Sequence, residues 1–152
     1  MELIHTSPVE IKEINKSGRF GEFLFFSCDE YSMNGHNYIA YSTEVDEDEI
    51  IEASQLFYQH DSKEVADIIE EVAERFNVDI ETAEGLIDES INIYDVDGID
   101  LEDEAEISWD IQLYTAKVAK KLGYRGVAVE DETGTSYMID MSGRENALVR
   151  LN

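Results

Sequence analysis

The spacing of apolar positions changes twice along this chain. At the start it is strand-like. Leu3-Ile4-His5-Thr6-Ser7 reads as a short strand closed by Pro8. Val9, Ile11 and Ile14 lead to a turn at Ser17-Gly18, and the aromatic run Phe20 to Ser27 reads as extended. Asn34-Gly35 marks a loop, and Tyr38-Ile39-Ala40-Tyr41-Ser42-Thr43 predicts another strand. In the middle, apolar positions recur every three or four residues. Ile50, Ile51, Ala53 and Phe57 have this spacing, and Val65, Ile68, Ile69, Val72, Ala73 and Phe76 show it more clearly, behind Ser62 as N-cap. Asp79 predicts the cap of a helix from Ile80 to Ile93. Ser108 predicts the cap of a last helix, with Lys117, Lys120 and Lys121 near its C-terminus and Gly123 ending it.

After Gly123 the period returns to two. Val127 to Val129 form a short apolar strand that runs into Glu130, Asp131 and Glu132. Thr133-Gly134-Thr135 predicts a turn, and Ser136 to Ile139 the returning strand of a hairpin. Strand alternation puts Asp131 with Val127 and Val129, and Glu130 with Glu132 on the other face. Ala147-Leu148-Val149 predicts a final strand. Strands, then helices, then a helix feeding strands is the order of an α+β fold, not of alternating parallel units.

Length and composition narrow the functional classes. The chain of 152 residues suits one domain with a real core, and 43% hydrophobic content is ordinary for one. No apolar run is long enough to span a membrane. Met1-Glu2-Leu3-Ile4-His5 has neither the basic region nor the apolar core of a signal peptide. Cys28 is the sole cysteine, so no intramolecular disulfide forms. These features point to the cytoplasm.

The net charge of −25 is unevenly placed. Between Glu44 and Asp110 there are 25 acids against Lys63 and Arg75, a net of −23. The rest holds 11 acids and 9 bases, a net of −2. Direct nucleic-acid binding is disfavoured by so few cations. An acidic segment of this kind keeps a protein soluble, or mimics a phosphate backbone toward a basic partner.

Metal chemistry finds little support. His5, His36 and His60 are scattered, and no HExxH or paired-cysteine pattern occurs. Asp95, Asp97, Gly98 and Glu104 imitate a calcium loop, but its first ligand position would be Ile93. Nucleotide-binding glycine motifs are absent. A carboxylate delivered to the end of a strand, at Asp131, is the sharpest chemical feature. Such a group can face positive charge developing in a transition state.

Several stretches carry a resemblance. Met1 to Ser7, Ser17-Gly18-Arg19-Phe20-Gly21 and Leu24-Phe25-Phe26-Ser27 are similar to the opening of small ADP-ribosyltransferase-like folds. Trp109-Asp-Ile-Gln112, Leu122-Gly123-Tyr124 and Val129-Glu130-Asp131-Glu132 with Gly134-Thr135 resemble the phage-encoded anti-CRISPR ADP-ribosyltransferases that disable type I-F surveillance complexes. The resemblance covers the two ends of the chain. It implies an ADP-ribosyltransferase-like fold of antiparallel sheets, with the acidic helical segment 44–110 as an insertion.

That resemblance also implies NAD as substrate and a host Cas protein as target. Asp131 matches the family's catalytic acid, flanked by Glu130 and Glu132. His5 matches the histidine that holds the adenosine ribose, with Thr6 and Ser7 beside it and Phe26 and Ser27 nearby. Tyr31 or Tyr38 is expected to stack on nicotinamide. Two alternatives stand beside this reading: a non-catalytic acidic protein that mimics DNA, and an ADP-ribosylating toxin with another protein target.

Overall fold

The computed structural model describes residues 2–7, 23–27, 39–96, 102, 104–131, 134–141 and 147–150. Seven strands and four α-helices lie among them: β1 (Glu2–Ser7), β2 (Phe23–Phe26), β3 (Ile39–Glu44), β4 (Ile50–Glu52), α1 (Leu56–Gln59), α2 (Ala66–Phe76), α3 (Ile80–Ile87), α4 (Glu104–Lys121), β5 (Gly126–Asp131), β6 (Gly134–Asp140) and β7 (Val149–Arg150). The fold is mixed α+β. One sheet has the order β1-β3-β7 and the other β2-β6-β5-β4. All pairings are antiparallel except β4 with β5, which is parallel. Thus the expectation of wholly antiparallel sheets fails at one edge.

The four-stranded sheet is buried on both faces, which follows from its sequence. Phe23, Ile51, Val127, Val129 and Met138 pack under the helices with Val72, Ile111 and Val118. Phe26 and Ile139 point the other way, into a second core with Leu3, Val45 and Met141. Strand alternation separates the two sets. Sheet meets sheet through this second core, and a single antiparallel bridge stitches them together. There Ile4 and Ser27 exchange both backbone hydrogen bonds at 2.8 Å.

The helices depart from the sequence pattern at their ends. Ile50 and Ile51 lie in β4, not in a helix, because two adjacent isoleucines beside the Val127 strand satisfy a buried edge as well as a helical stripe. Asp61, not Ser62, caps the turn before α2 by accepting from the Lys63 amide at 2.9 Å. Asp79 caps α3 as expected, accepting from Thr82 at 2.7 Å. However, α3 stops at Ile87 and does not run on to Ile93. α4 begins at Glu104, so Ser108 lies inside it. Gly123 ends that helix region with a φ of 100°, a conformation that glycine adopts without penalty.

Candidate functional site

A cleft of about 530 Å³ opens on the second-core side of the four-stranded sheet. Its floor is built by alternation. Ala128 and Glu130 of β5 face it, as do Thr135 and Tyr137 of β6 and Ile50 and Glu52 of β4. Glu47 closes one side, and the segment after α3, Asp88-Glu89-Ser90, closes another. Among the described residues the lining holds five carboxylates and no lysine or arginine.

Two of those carboxylates are fixed by hydrogen bonds. Thr135 donates its hydroxyl to Glu130 Oε1 at 2.8 Å. The Glu130 backbone amide donates to Glu89, with its two carboxylate oxygens at 3.3 and 3.2 Å. Glu89 has a left-handed backbone, with φ of 69°, which for a residue with a side chain costs about 1 kcal/mol. Asp131 holds the last register position of β5, opposite Gly134. The hairpin connection is therefore shorter than expected, since Gly134 and Thr135 belong to β6. Glu132 lies outside the described residues.

The expected NAD-binding residues of the first strands lie apart from this lining. His5 sits on β1 opposite Tyr41, with its ring 5.6 Å from that of Phe26. Its Nδ1 is 2.6 Å from the Phe25 carbonyl oxygen. A carbonyl can only accept, so Nδ1 carries the proton and Nε2 is left as an acceptor. Burial lowers the His5 pKa, and the bond to Phe25 opposes this shift without cancelling it. Thr6 and Ser7 pair through their backbones with Ala40 and Ile39. Phe26 is 2% exposed and belongs to the core between the sheets. Ser27 forms the bridge to Ile4. Tyr31 and Tyr38 fall outside the described residues. A path across the sheet nevertheless joins the two regions: Phe26 pairs with Tyr137, and Tyr137 with Ala128.

Among the described residues no group of three or more His, Cys, Asp or Glu side chains is arranged to hold a metal ion. No helix is long and apolar enough to cross a membrane.

A family model described as "Anti-CRISPR Type I-F ADP-ribosyltransferase AcrIF11" matches residues 2–145. The chain belongs to that family. The match runs through the acidic segment as well as both ends, further than the stretches that carried the resemblance. A solved structure described as "Crystal structure of an anti-CRISPR protein" is similar at 26% identity. The likeness covers 91% of this chain and 88% of that one, with a TM-score of 0.57. No match was found among curated proteins.

Sequence reasoning reached Glu130 but missed Glu52, Glu89, Thr135 and Tyr137. Thr135 and Tyr137 share the parity of Glu130 once the hairpin register is known, so alternation held that signal. Nothing local announces Glu89, whose partner lies far along the chain.

Proposed function

We propose that the protein is an NAD-dependent mono-ADP-ribosyltransferase on an ADP-ribosyltransferase-like fold, and that it inactivates a host type I CRISPR–Cas surveillance complex by modifying a Cas protein. One observation carries the reading beyond family membership: a cleft lined by five carboxylates lies at the carboxylate-bearing end of β5. Its volume is in the range of small-molecule sites, about 300–1,000 Å³.

The charge of the cleft discriminates between the ends of NAD. The nicotinamide ring is cationic and the diphosphate anionic. Five carboxylates favour the former and repel the latter. The nicotinamide ribose therefore belongs in the cleft, and the diphosphate outside it. His5 fits the other end. With its proton fixed on Nδ1, Nε2 accepts a hydrogen bond from a hydroxyl such as that of the adenosine ribose, and the Thr6 backbone lies beside it. Tyr38 or Tyr31 supplies the stacking ring for nicotinamide, and Tyr137 places a further aromatic side chain at the cleft.

As the bond between nicotinamide and ribose breaks, its electron pair leaves with nicotinamide and positive charge grows on the sugar. A fixed carboxylate stabilises that charge, as in glycoside cleavage. The resemblance assigns this role to Asp131, the last residue of β5; of the acids flanking it, Glu130 and Glu132, Glu130 is the one that lines the cleft. A nucleophile on the target then bonds to the sugar carbon and gives up its proton.

The test is incubation with labelled NAD and a purified type I-F surveillance complex. Label on a Cas subunit, lost about a hundredfold or more in Asp131→Ala, is the expected result. Unlabelled but inhibited complex would favour the acidic DNA mimic, which the net charge of −23 between Glu44 and Asp110 supports. Label only on other proteins would favour a toxin.

A further inference from the structure

β4 accompanies β5 only as far as Ala128, whereas β5 continues to Asp131. Past that point the outer edge of β5 has no strand beside it among the described residues. An open edge leaves backbone amides and carbonyls without ladder partners, and a strand end of that kind frays. At Glu130 the edge amide is taken instead by the Glu89 carboxylate.

The arm that delivers Glu89 is well built. Thr115 on α4 donates its hydroxyl to the Ile87 carbonyl at 2.7 Å, which ties the end of α3 to α4. Asp88 accepts from the Ser90 amide at 2.9 Å, turning the chain. Between them Glu89 adopts its left-handed backbone and reaches β5. It also lines both the acidic cleft and a smaller cavity of about 170 Å³ on the helix side, which Val129 and Gln112 share. Glu89 therefore stands at the strand end where the two cavities approach each other.

We infer that Glu89 is a positioning residue, which replaces the missing strand and holds the carboxylate-bearing end of β5, Glu130 and Asp131, in register for reaction. The inference rests on the NAD-cleaving function proposed above. It assigns a catalytic consequence to the acidic middle that does not depend on docking. The bond from the Glu130 amide, not the charge of Glu89, is what matters. A strand end displaced by an ångström loses rate without losing substrate affinity, because the misplaced group acts on the transition state.

The experiment measures nicotinamide release from NAD, with and without a type I-F surveillance complex, for wild type, Glu89→Ala, Glu89→Gln and Glu89→Gly. Amide hydrogen exchange at Glu130 is followed in parallel. Glu89→Ala is expected to lower kcat about tenfold or more, with KM for NAD within about twofold. It should speed Glu130 exchange about tenfold. Glu89→Gln, whose amide oxygen still accepts, should recover most of both. Glu89→Gly, free of the left-handed penalty, should be as slow as the alanine variant, which separates the bond from backbone strain. An active wild type with an equally active Glu89→Ala would overturn the inference alone. So would a Gln variant as impaired as Ala. A wild type that cleaves no NAD under either condition would overturn the functional reading, and the positioning role with it.

Discussion

Thr135 and Glu130 are paired across β5 and β6, and the threonine hydroxyl donates to the glutamate carboxylate at 2.8 Å. Both side chains are exposed at the cleft, so the bond fixes direction more than it adds stability. Thr135→Val keeps the strand-favouring shape and removes the donor. It should change unfolding free energy by less than about 0.5 kcal/mol and lower kcat for nicotinamide release severalfold. Paired stability and rate measurements check this. An unchanged rate would leave the orientation of Glu130 without consequence.

Thr115 is 1% exposed, and its hydroxyl contacts the Ile87 carbonyl at 2.7 Å and the Ile111 carbonyl at 3.0 Å. It has one hydrogen to give, and the shorter contact is to the last carbonyl of α3, where helical partners run out. Thr115→Val preserves volume and should cost about 1–2 kcal/mol in urea unfolding, with the denaturant slope unchanged. It should also slow nicotinamide release, since it loosens the arm that carries Glu89.

His5 provides a pH prediction. Burial lowers its pKa from the usual 6.5 or so, so the unfolded chain binds a proton before the folded one does. Below that ordinary value, and down to the lowered one, the unfolded state holds more protons and stability falls as pH falls. Above it the contribution of this group is flat. His5→Asn removes the titration, so the difference in stability between wild type and variant should change as pH falls below the usual histidine value of 6.5 and be constant well above it. The comparison cancels the carboxylates the two share. His5→Asn should also weaken NAD binding by calorimetry, through loss of the Nε2 acceptor.

Two glycines should resist alanine for different reasons. A Cβ on Gly126 would lie 2.8 Å from the Met138 carbonyl oxygen and 2.4 Å from Ile139 Cδ1. Backbone cannot move aside cheaply, so Gly126→Ala should cost about 1–3 kcal/mol by overpacking. At Gly123 a Cβ would meet nothing within 4 Å, and the penalty comes from the φ of 100° alone. Replacing Gly123 with Asn, which tolerates positive φ better, should therefore recover part of the loss seen with Ala. No such rescue should occur at Gly126. Thermal melts of the four variants separate clash from strain.

The acidic segment predicts salt-sensitive association. Asp46, Glu47, Asp48 and Glu49 are exposed before β4. Converting them to Asn or Gln should slow association with a surveillance complex at low salt and matter less at moderate salt, because exposed charges are screened beyond about 8–10 Å. Equal association rates at both salt levels would assign these acids to solubility alone.

What the sequence made legible follows from the range of the forces involved. β1, β3, β5 and β6 were readable because a strand with a buried face leaves a local period. Asp79 was readable because a cap is a local bond. The Ile50-Ile51 pair was misread, since two adjacent apolar residues fit either element and the decision lies with Val127 on a distant strand. The end of α3 was placed too late because the turn at Glu89 is completed by contacts with α4 and β5. The same reason explains the site. Acids on β5 could be found from the hairpin, but their support comes from a glutamate that no local pattern marks.

The parallel pairing of β4 with β5 brackets all four α-helices described here, because α1 to α4 lie between Glu52 and Gly126. Helices form from contacts near in sequence, and distant strand pairing comes at a cost in chain entropy. On a growing chain, β4 must wait for its partner until the helical region has emerged. The cleft needs a wall from each side of that wait: Glu52 before it, and Glu130 with Tyr137 after it. An immature or shortened product therefore carries most of the negative charge but not the acidic cleft. Charge is expected early in the life of each molecule, and reactivity only at the end of folding.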